Sequence, residues 1–116
     1  MGKFAEFTRF RQELNDKILQ KGNLGIKRFF ALDEQAYHPG AIDAKTKELL
    51  GLVASLVLRC DDCVSYHLIQ CKEQGASSAE LFETFHIALI VGGSIVIPHL
   101  RRAVDFLEEL EEKGEC

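Results

Sequence analysis

Three residues carry the chemistry this sequence can do: Cys60, Cys63 and His67, in the run Cys60-Asp61-Asp62-Cys63-Val64-Ser65-Tyr66-His67, a C-x-x-C-x-x-x-H pattern. At ~100° per residue on a helix, positions 60, 63 and 67 fall within ~60° of one another, so both sulfurs and the imidazole share one stripe. Helical side chains lean toward the N-terminus, which brings His67 back one turn onto Cys63. The result is a thiol with a base. The thiolate is the reactive form of cysteine, and an adjacent His and a helix N-terminus both favour it over the free thiol of pKa about 8.5. An i, i+3 pair can also close a disulfide once one sulfur has been oxidised to sulfenic acid, so peroxide or disulfide chemistry follows. Cys60 is nearer the helix N-terminus and Cys63 nearer the base, and either sulfur can attack first. Upstream, eleven residues separate Glu48 from Cys60. Antiparallel packing of two successive helices can bring its carboxylate beside His67, although spacing alone does not distinguish it from a solvated glutamate.

Zinc binding is the main rival, since two Cys and a His are good ligands and Cys71 extends the stripe by one more turn. On a continuous helix Cys60 and Cys71 lie ~16 Å apart, whereas zinc holds thiolates at ~2.3 Å, so a zinc site reduces to Cys60, Cys63 and His67 with Glu48 or water. Cys71 reads as a small buried hydrophobe, and Cys116, at an acidic terminus, as exposed and incidental. His86 lies in an apolar helical pattern and reads as a core or interface histidine. His38 and His99 stand beside prolines and are given no chemical role. Tyr66 flanks His67 and reads as packing in preference to substrate contact.

The elements that must position these groups are helical. Phe4, Phe7, Phe10, Leu14 and Ile18 recur at three and four residues in a first amphipathic helix, closed by Gly22 and Gly25. Its phenylalanines read as core or subunit contact. A second apolar pattern runs from Ile26 to Tyr37-His38-Pro39-Gly40, which cannot continue a helix. Asp43 is an N-cap for a third helix through Val57. Arg59 to Cys63 suits a short connection or the first turn of a fourth helix that ends near Gly75. Ser77-Ser78-Ala79-Glu80 is a capping box opening a fifth, with Gly92-Gly93 as its exit, and Pro98 fits the first turn of a last helix. No segment alternates with period two between hairpin turns, so the chain reads as all-α, with about six helices, and Ile95-Val96-Ile97 is the one place for a short extended piece. There is no internal repeat and no dividing linker, so residues 1–116 are expected to form one domain.

Composition narrows the partners. The 116 residues are 47% hydrophobic and 28% charged, ordinary globular chemistry, and a chain this short can fold alone while placing surplus apolar surface in an oligomer interface. Fourteen Lys and Arg against 18 Asp and Glu give a net charge of -4, with Glu108, Glu109, Glu111, Glu112 and Glu115 crowding the end. That balance argues against a nucleic-acid partner. The longest uncharged stretches are far short of the ~20 residues a membrane helix needs, so no membrane association is expected. The N-terminus carries no secretory run and no myristoylation motif, and a cytoplasmic location is expected. There, a close cysteine pair points to redox or metal work in preference to a structural disulfide framework.

The spacing E-x11-C-x2-C-x3-H from Glu48 through His67 resembles the signature of the alkylhydroperoxidase D-like (AhpD-like) branch of the carboxymuconolactone decarboxylase family. Gly92-Gly93-Ser94 running into Pro98-His99-Leu100-Arg101-Arg102-Ala103 looks like the helix junction of the same proteins, so the resemblance spans roughly residues 43–110. It implies a small helical bundle assembling as a homotrimer or homohexamer. It also implies a proton relay of Glu48, His67 and Cys63, with Cys60 completing a redox disulfide. The implied activity is reduction of hydroperoxides or partner disulfides, with a dihydrolipoyl or thioredoxin-like protein as reductant and no bound organic cofactor. A redox sensor that changes its assembly without turnover is the non-enzymatic alternative. Asp62 stands where peroxidase members often carry a His, and its charge opposes ionisation of the neighbouring thiol. The decarboxylases proper lack the cysteine pair, so its presence speaks against lactone decarboxylation.

Overall fold

The computed structural model describes residues 2–112, which form six α-helices and one short 3-10 turn, with no strand among the described residues. Glu115 and Cys116 lie outside the described residues. The chain divides into two compact units, Met1–His38 and Pro39–Cys116.

The first unit holds α1 (Lys3–Lys21) and α2 (Leu24–Ala36). Gly22 ends α1 where a Cβ would stand 2.6 Å from the Ile18 carbonyl oxygen, so only glycine fits the exit. Gly25, expected to share in closing α1, instead lies in the first turn of α2. The reason is Asn23, whose side chain accepts from the Ile26 N–H at 3.0 Å and restarts the helix at Leu24. Neither helix buries a residue. Phe4 and Phe7 are half-buried and Phe10 is 65% exposed, so the phenylalanine stripe is not core of this chain.

The second unit holds α3 (Ala44–Val57), α4 (Asp61–Glu73), α5 (Ser78–Gly92) and α6 (Ile97–Glu112). Helix starts follow the capping chemistry: Asp43 accepts from the Thr46 N–H at 2.8 Å, and Ser77 and Glu80 form a complete capping box. Gly93, at φ 83°, turns the chain out of α5 in a left-handed conformation. Ile95-Val96-Ile97 is not extended. Ser94–Val96 is a 3-10 turn leading into α6, because Val96 is fully buried and packs so closely on Gly92 that a Cβ there would stand 2.5 Å from its Cγ2. With no neighbouring strand to pair, burial overrides the strand preference of these residues.

Leu52 and Leu56 of α3, Leu68 and Cys71 of α4, Leu81 and Phe85 of α5, and Leu107 and Leu110 of α6 are buried together as the core of this unit. Ion pairs at helix ends report their directions. Lys45 at the start of α3 meets Glu80 at the start of α5 at 2.9 Å, so these two run the same way. Lys72 near the end of α4 meets Glu111 near the end of α6 at 3.3 Å, while Asp61 at the start of α4 meets His99 near the start of α6. Helices α4 and α6 therefore lie side by side, parallel and tied at both ends.

The Glu111 carboxyl is held below the usual glutamate range, first by the Ser78 hydroxyl that donates to it and then by the Lys72 ammonium. A carboxyl depressed on folding contributes stability that is present above its unfolded pKa of about 4.3 and is lost as pH falls through the lower folded value. The melting temperature of the Glu111→Gln variant is therefore expected to fall less than that of the parent between about pH 5 and about pH 3. Parallel curves for the two proteins would show that this carboxylate does not couple to folding.

Candidate active site

The site is built at the corner between α3 and α4. The Arg59 N–H bonds to the Leu56 carbonyl and the Cys60 N–H to the Ser55 carbonyl, both at 3.0 Å, closing α3 in a Schellman motif. Arg59 takes the left-handed conformation, φ 60°, that glycine usually supplies in this motif, as Gly75 does at the end of α4. The chain leaves the corner extended at Cys60, which becomes the N-cap of α4 and accepts from the Cys63 N–H through Sγ at 3.2 Å. Cys60 thus lies one residue outside the helix, not on a continuous stripe with Cys63 and His67. The left-handed exit of α3 sets that position. Cys60 and Cys63 are joined in a disulfide, with their Cα atoms 5.3 Å apart.

His67 follows Cys63 by one turn and is 8% exposed. Its Nδ1 is 2.8 Å from Oε1 of Glu48, itself 6% exposed on α3. A carboxylate only accepts, so Nδ1–H donates to it, and in the neutral imidazole this leaves the lone pair on Nε2. The antiparallel turn between α3 and α4 brings the two side chains together across 19 positions of sequence. Tyr66 lies edge-on to the His67 ring, with centroids 5.2 Å apart.

Gly51, one turn after Glu48, was not singled out by its sequence context. A Cβ there would stand 2.6 to 2.9 Å from three atoms of the His67 ring, so the imidazole lies directly on the α3 backbone. The only sequence signal is a glycine tolerated inside a helical pattern, where it costs about 1 kcal/mol relative to alanine.

His99, given no role from its place beside Pro98, donates from Nδ1 to Asp61 Oδ1 at 2.7 Å, and Arg102 donates to Asp61 Oδ2 at 3.2 Å. Asp61 is covalently next to Cys60. His86 is exposed on α5 and is not a core histidine of this chain. Cys71 is fully buried, and burial, reinforced by the charge of Glu48, pushes its thiol up to about 12, where it stays protonated. Among the described residues no group of three or more His, Cys, Asp or Glu side chains is placed to hold a metal ion.

Because the ring and the α3 backbone share one space, Gly51→Ala is expected to displace the His67 imidazole from Glu48. The imidazole resonances in an NMR spectrum should shift, with Nδ1–H losing its hydrogen-bonded position. Unchanged resonances in a folded variant would show that the ring does not depend on this glycine.

Residues 26–106 match the model of the carboxymuconolactone decarboxylase family. A crystal structure of TM1620 from Thermotoga maritima is 63% identical to this chain, covers 95% of it and 96% of its own length, and superposes with a TM-score of 0.93. A second structure of TM1620 matches at 60% identity, over 96% of this chain and 97% of that one, with a TM-score of 0.89. It is described as a carboxymuconolactone decarboxylase family protein with a suggested part in an antioxidative response. A further family member, from Legionella pneumophila and solved in its apo form, is 27% identical over 92% of this chain and 96% of its own, with a TM-score of 0.84. The all-helical fold, the family match over most of its length and these close structural relatives establish that the chain belongs to the carboxymuconolactone decarboxylase family.

Proposed function

We propose that this protein is a thiol-dependent oxidoreductase of the AhpD-like type, reducing hydroperoxides or partner disulfides through the Cys60–Cys63 pair. The observation that carries the reading is the buried Glu48–His67 hydrogen bond of 2.8 Å, one helical turn from a joined cysteine pair. A histidine oriented by a carboxylate activates a nucleophile within its reach, and His67 follows Cys63 by one helical turn. The suggested antioxidative role of the Thermotoga maritima relative lends support.

In the reduced protein, His67 Nε2 takes the thiol proton of Cys63, and Glu48 holds the resulting imidazolium. The Cys63 sulfur attacks the terminal oxygen of the hydroperoxide, the O–O bond breaks, and the alcohol leaves with a proton, giving Cys63 sulfenic acid. The Cys60 sulfur then attacks that sulfur, the S–S bond forms, and the hydroxyl departs as water with the remaining proton. Two thiols and one hydroperoxide thus give one disulfide, one alcohol and one water. Two electrons and two protons from an outside dithiol, of the dihydrolipoyl or thioredoxin-like class, restore the thiols. The exposed apolar residues of α1 and α2, among them Phe10, Leu24 and Phe29, suit burial between copies of the chain in a homotrimer or homohexamer.

Changing either Cys60 or Cys63 to Ser is expected to abolish hydroperoxide consumption in an assay coupled to a dihydrolipoyl reductant. Full turnover by both single variants would sink the reading. Glu48→Gln leaves both thiols in place but misorients the base, and the expected loss is at least about tenfold in rate. Sedimentation velocity of the purified chain is expected to give a trimer or hexamer, and a monomer at micromolar concentration would remove the assembly from the proposal.

A further inference from the structure

Two histidine–carboxylate pairs flank the disulfide. Glu48–His67 serves the Cys63 side from the interior, at 2.8 Å. Asp61–His99, at 2.7 Å, stands on the Cys60 side and nearer the surface, His99 being half-buried with 18% of its side chain exposed. Both are made through Nδ1.

The second pair meets an electrostatic difficulty in the local sequence. Cys60 caps α4, where backbone N–H groups and the helix dipole favour a thiolate. Asp61 and Asp62 follow immediately and favour the helix for the same reason, but their charges oppose a thiolate at Cys60. Asp61 has both carboxylate oxygens engaged from α6, one by His99 and one by Arg102. In sequence Cys60 stands between Arg59 and the Asp61–Asp62 pair, and His99 and Arg102 reach Asp61 from α6. The same contacts hold the first turn of α4 against α6, opposite the Lys72–Glu111 tie at the other end.

We propose that Asp61, His99 and Arg102 are positioning residues for the Cys60 half of the redox pair: the two α6 side chains fix the start of α4, and the Arg102 guanidinium, together with the hydrogen bond from His99 Nδ1, offsets the charge of the carboxylate beside Cys60, so that the reduced sulfur is held as thiolate. The inference rests on the reading that Cys60 and Cys63 cycle between dithiol and disulfide. In that cycle the S–S bond breaks, two electrons and two protons enter from the outside dithiol, and the cluster acts on the charge left at Cys60 before its proton arrives.

The test is the rate of iodoacetamide alkylation of the fully reduced full-length protein at neutral pH, mapped by peptide mass to Cys60 and Cys63. Arg102→Gln and His99→Ala are expected to slow alkylation at Cys60 by about two- to fivefold, the range of a part-exposed charge pair. His99→Asn, whose amide nitrogen can take the place of Nδ1, should stay near the parent rate. Asp61→Asn should speed alkylation by a similar factor. Opposite signs for Asp61→Asn and Arg102→Gln are what a merely structural clamp does not produce, since loosening the helix start moves both the same way. No change in either variant, or shifts of the same sign, overturns the proposal. Alkylation needs no hydroperoxide, so a parent protein inert to hydroperoxide but showing the opposite shifts supports the cluster while the peroxidase reading fails separately.

Discussion

The hydrogen bond between Glu48 and His67 is the constraint on which the second unit turns. A carboxylate and an imidazole taken out of water carry a desolvation cost of several kcal/mol when unpaired, so the two must meet once both are buried. Glu48 sits one turn into α3 and His67 midway along α4, and only one antiparallel register joins them. Gly51 makes that register possible by letting the ring lie on bare backbone. The pairing is part of a wider economy: no buried side-chain nitrogen or oxygen among the described residues lacks a hydrogen-bond partner.

The same register decides what the corner between the helices must do. Three residues, Leu58 to Cys60, reverse the chain, and Arg59 accepts a left-handed backbone that costs a side-chain-bearing residue about 1 kcal/mol or more. The cap that follows is a cysteine, although Ser, Thr, Asp and Asn are the strong capping residues. A cysteine cap gives this helix start less local stability than those residues would. The loss is offset from outside the corner by α6, which grips α4 through Asp61 at one end and Lys72 at the other. The joined cysteine pair sits on a weakly capped helix that the neighbouring α6 ties at both ends.

The second unit closes part of its apolar surface over a core that includes Leu52, Leu56, Phe85 and Leu107, all at or near complete burial, while Leu50, Leu58, Ile90 and Val91 stay exposed. The apolar residues of α1 and α2 recur with the same helical period, and none of them is fully buried within the chain. Helical periodicity therefore marks an apolar face without saying whether the chain itself buries it.

Much of this protein was legible in its sequence because the signals are local. A helix start is a hydrogen bond over three residues, so Asp43 and the Ser77–Glu80 box marked their helices correctly, and the spacing of Cys63 and His67 put them one turn apart on a helix. Composition and period made the chain all-helical, and the E-x11-C-x2-C-x3-H spacing pointed to the family that the comparisons bear out. What the tertiary structure decided is non-local. Whether Glu48 faces His67 depends on how two helices pack, which a spacing of eleven residues permits but does not require. Gly51 looks like any tolerated helical glycine until a ring is laid on it, and Asp61 finds His99 from 38 positions away through an α6 whose direction no local pattern encodes. Even the exit from α3, which the sequence leaves as a short connection or the first turn of the next helix, needed the structure to show Cys60 as a cap outside the helix, because a left-handed arginine leaves no glycine in the sequence to mark the turn.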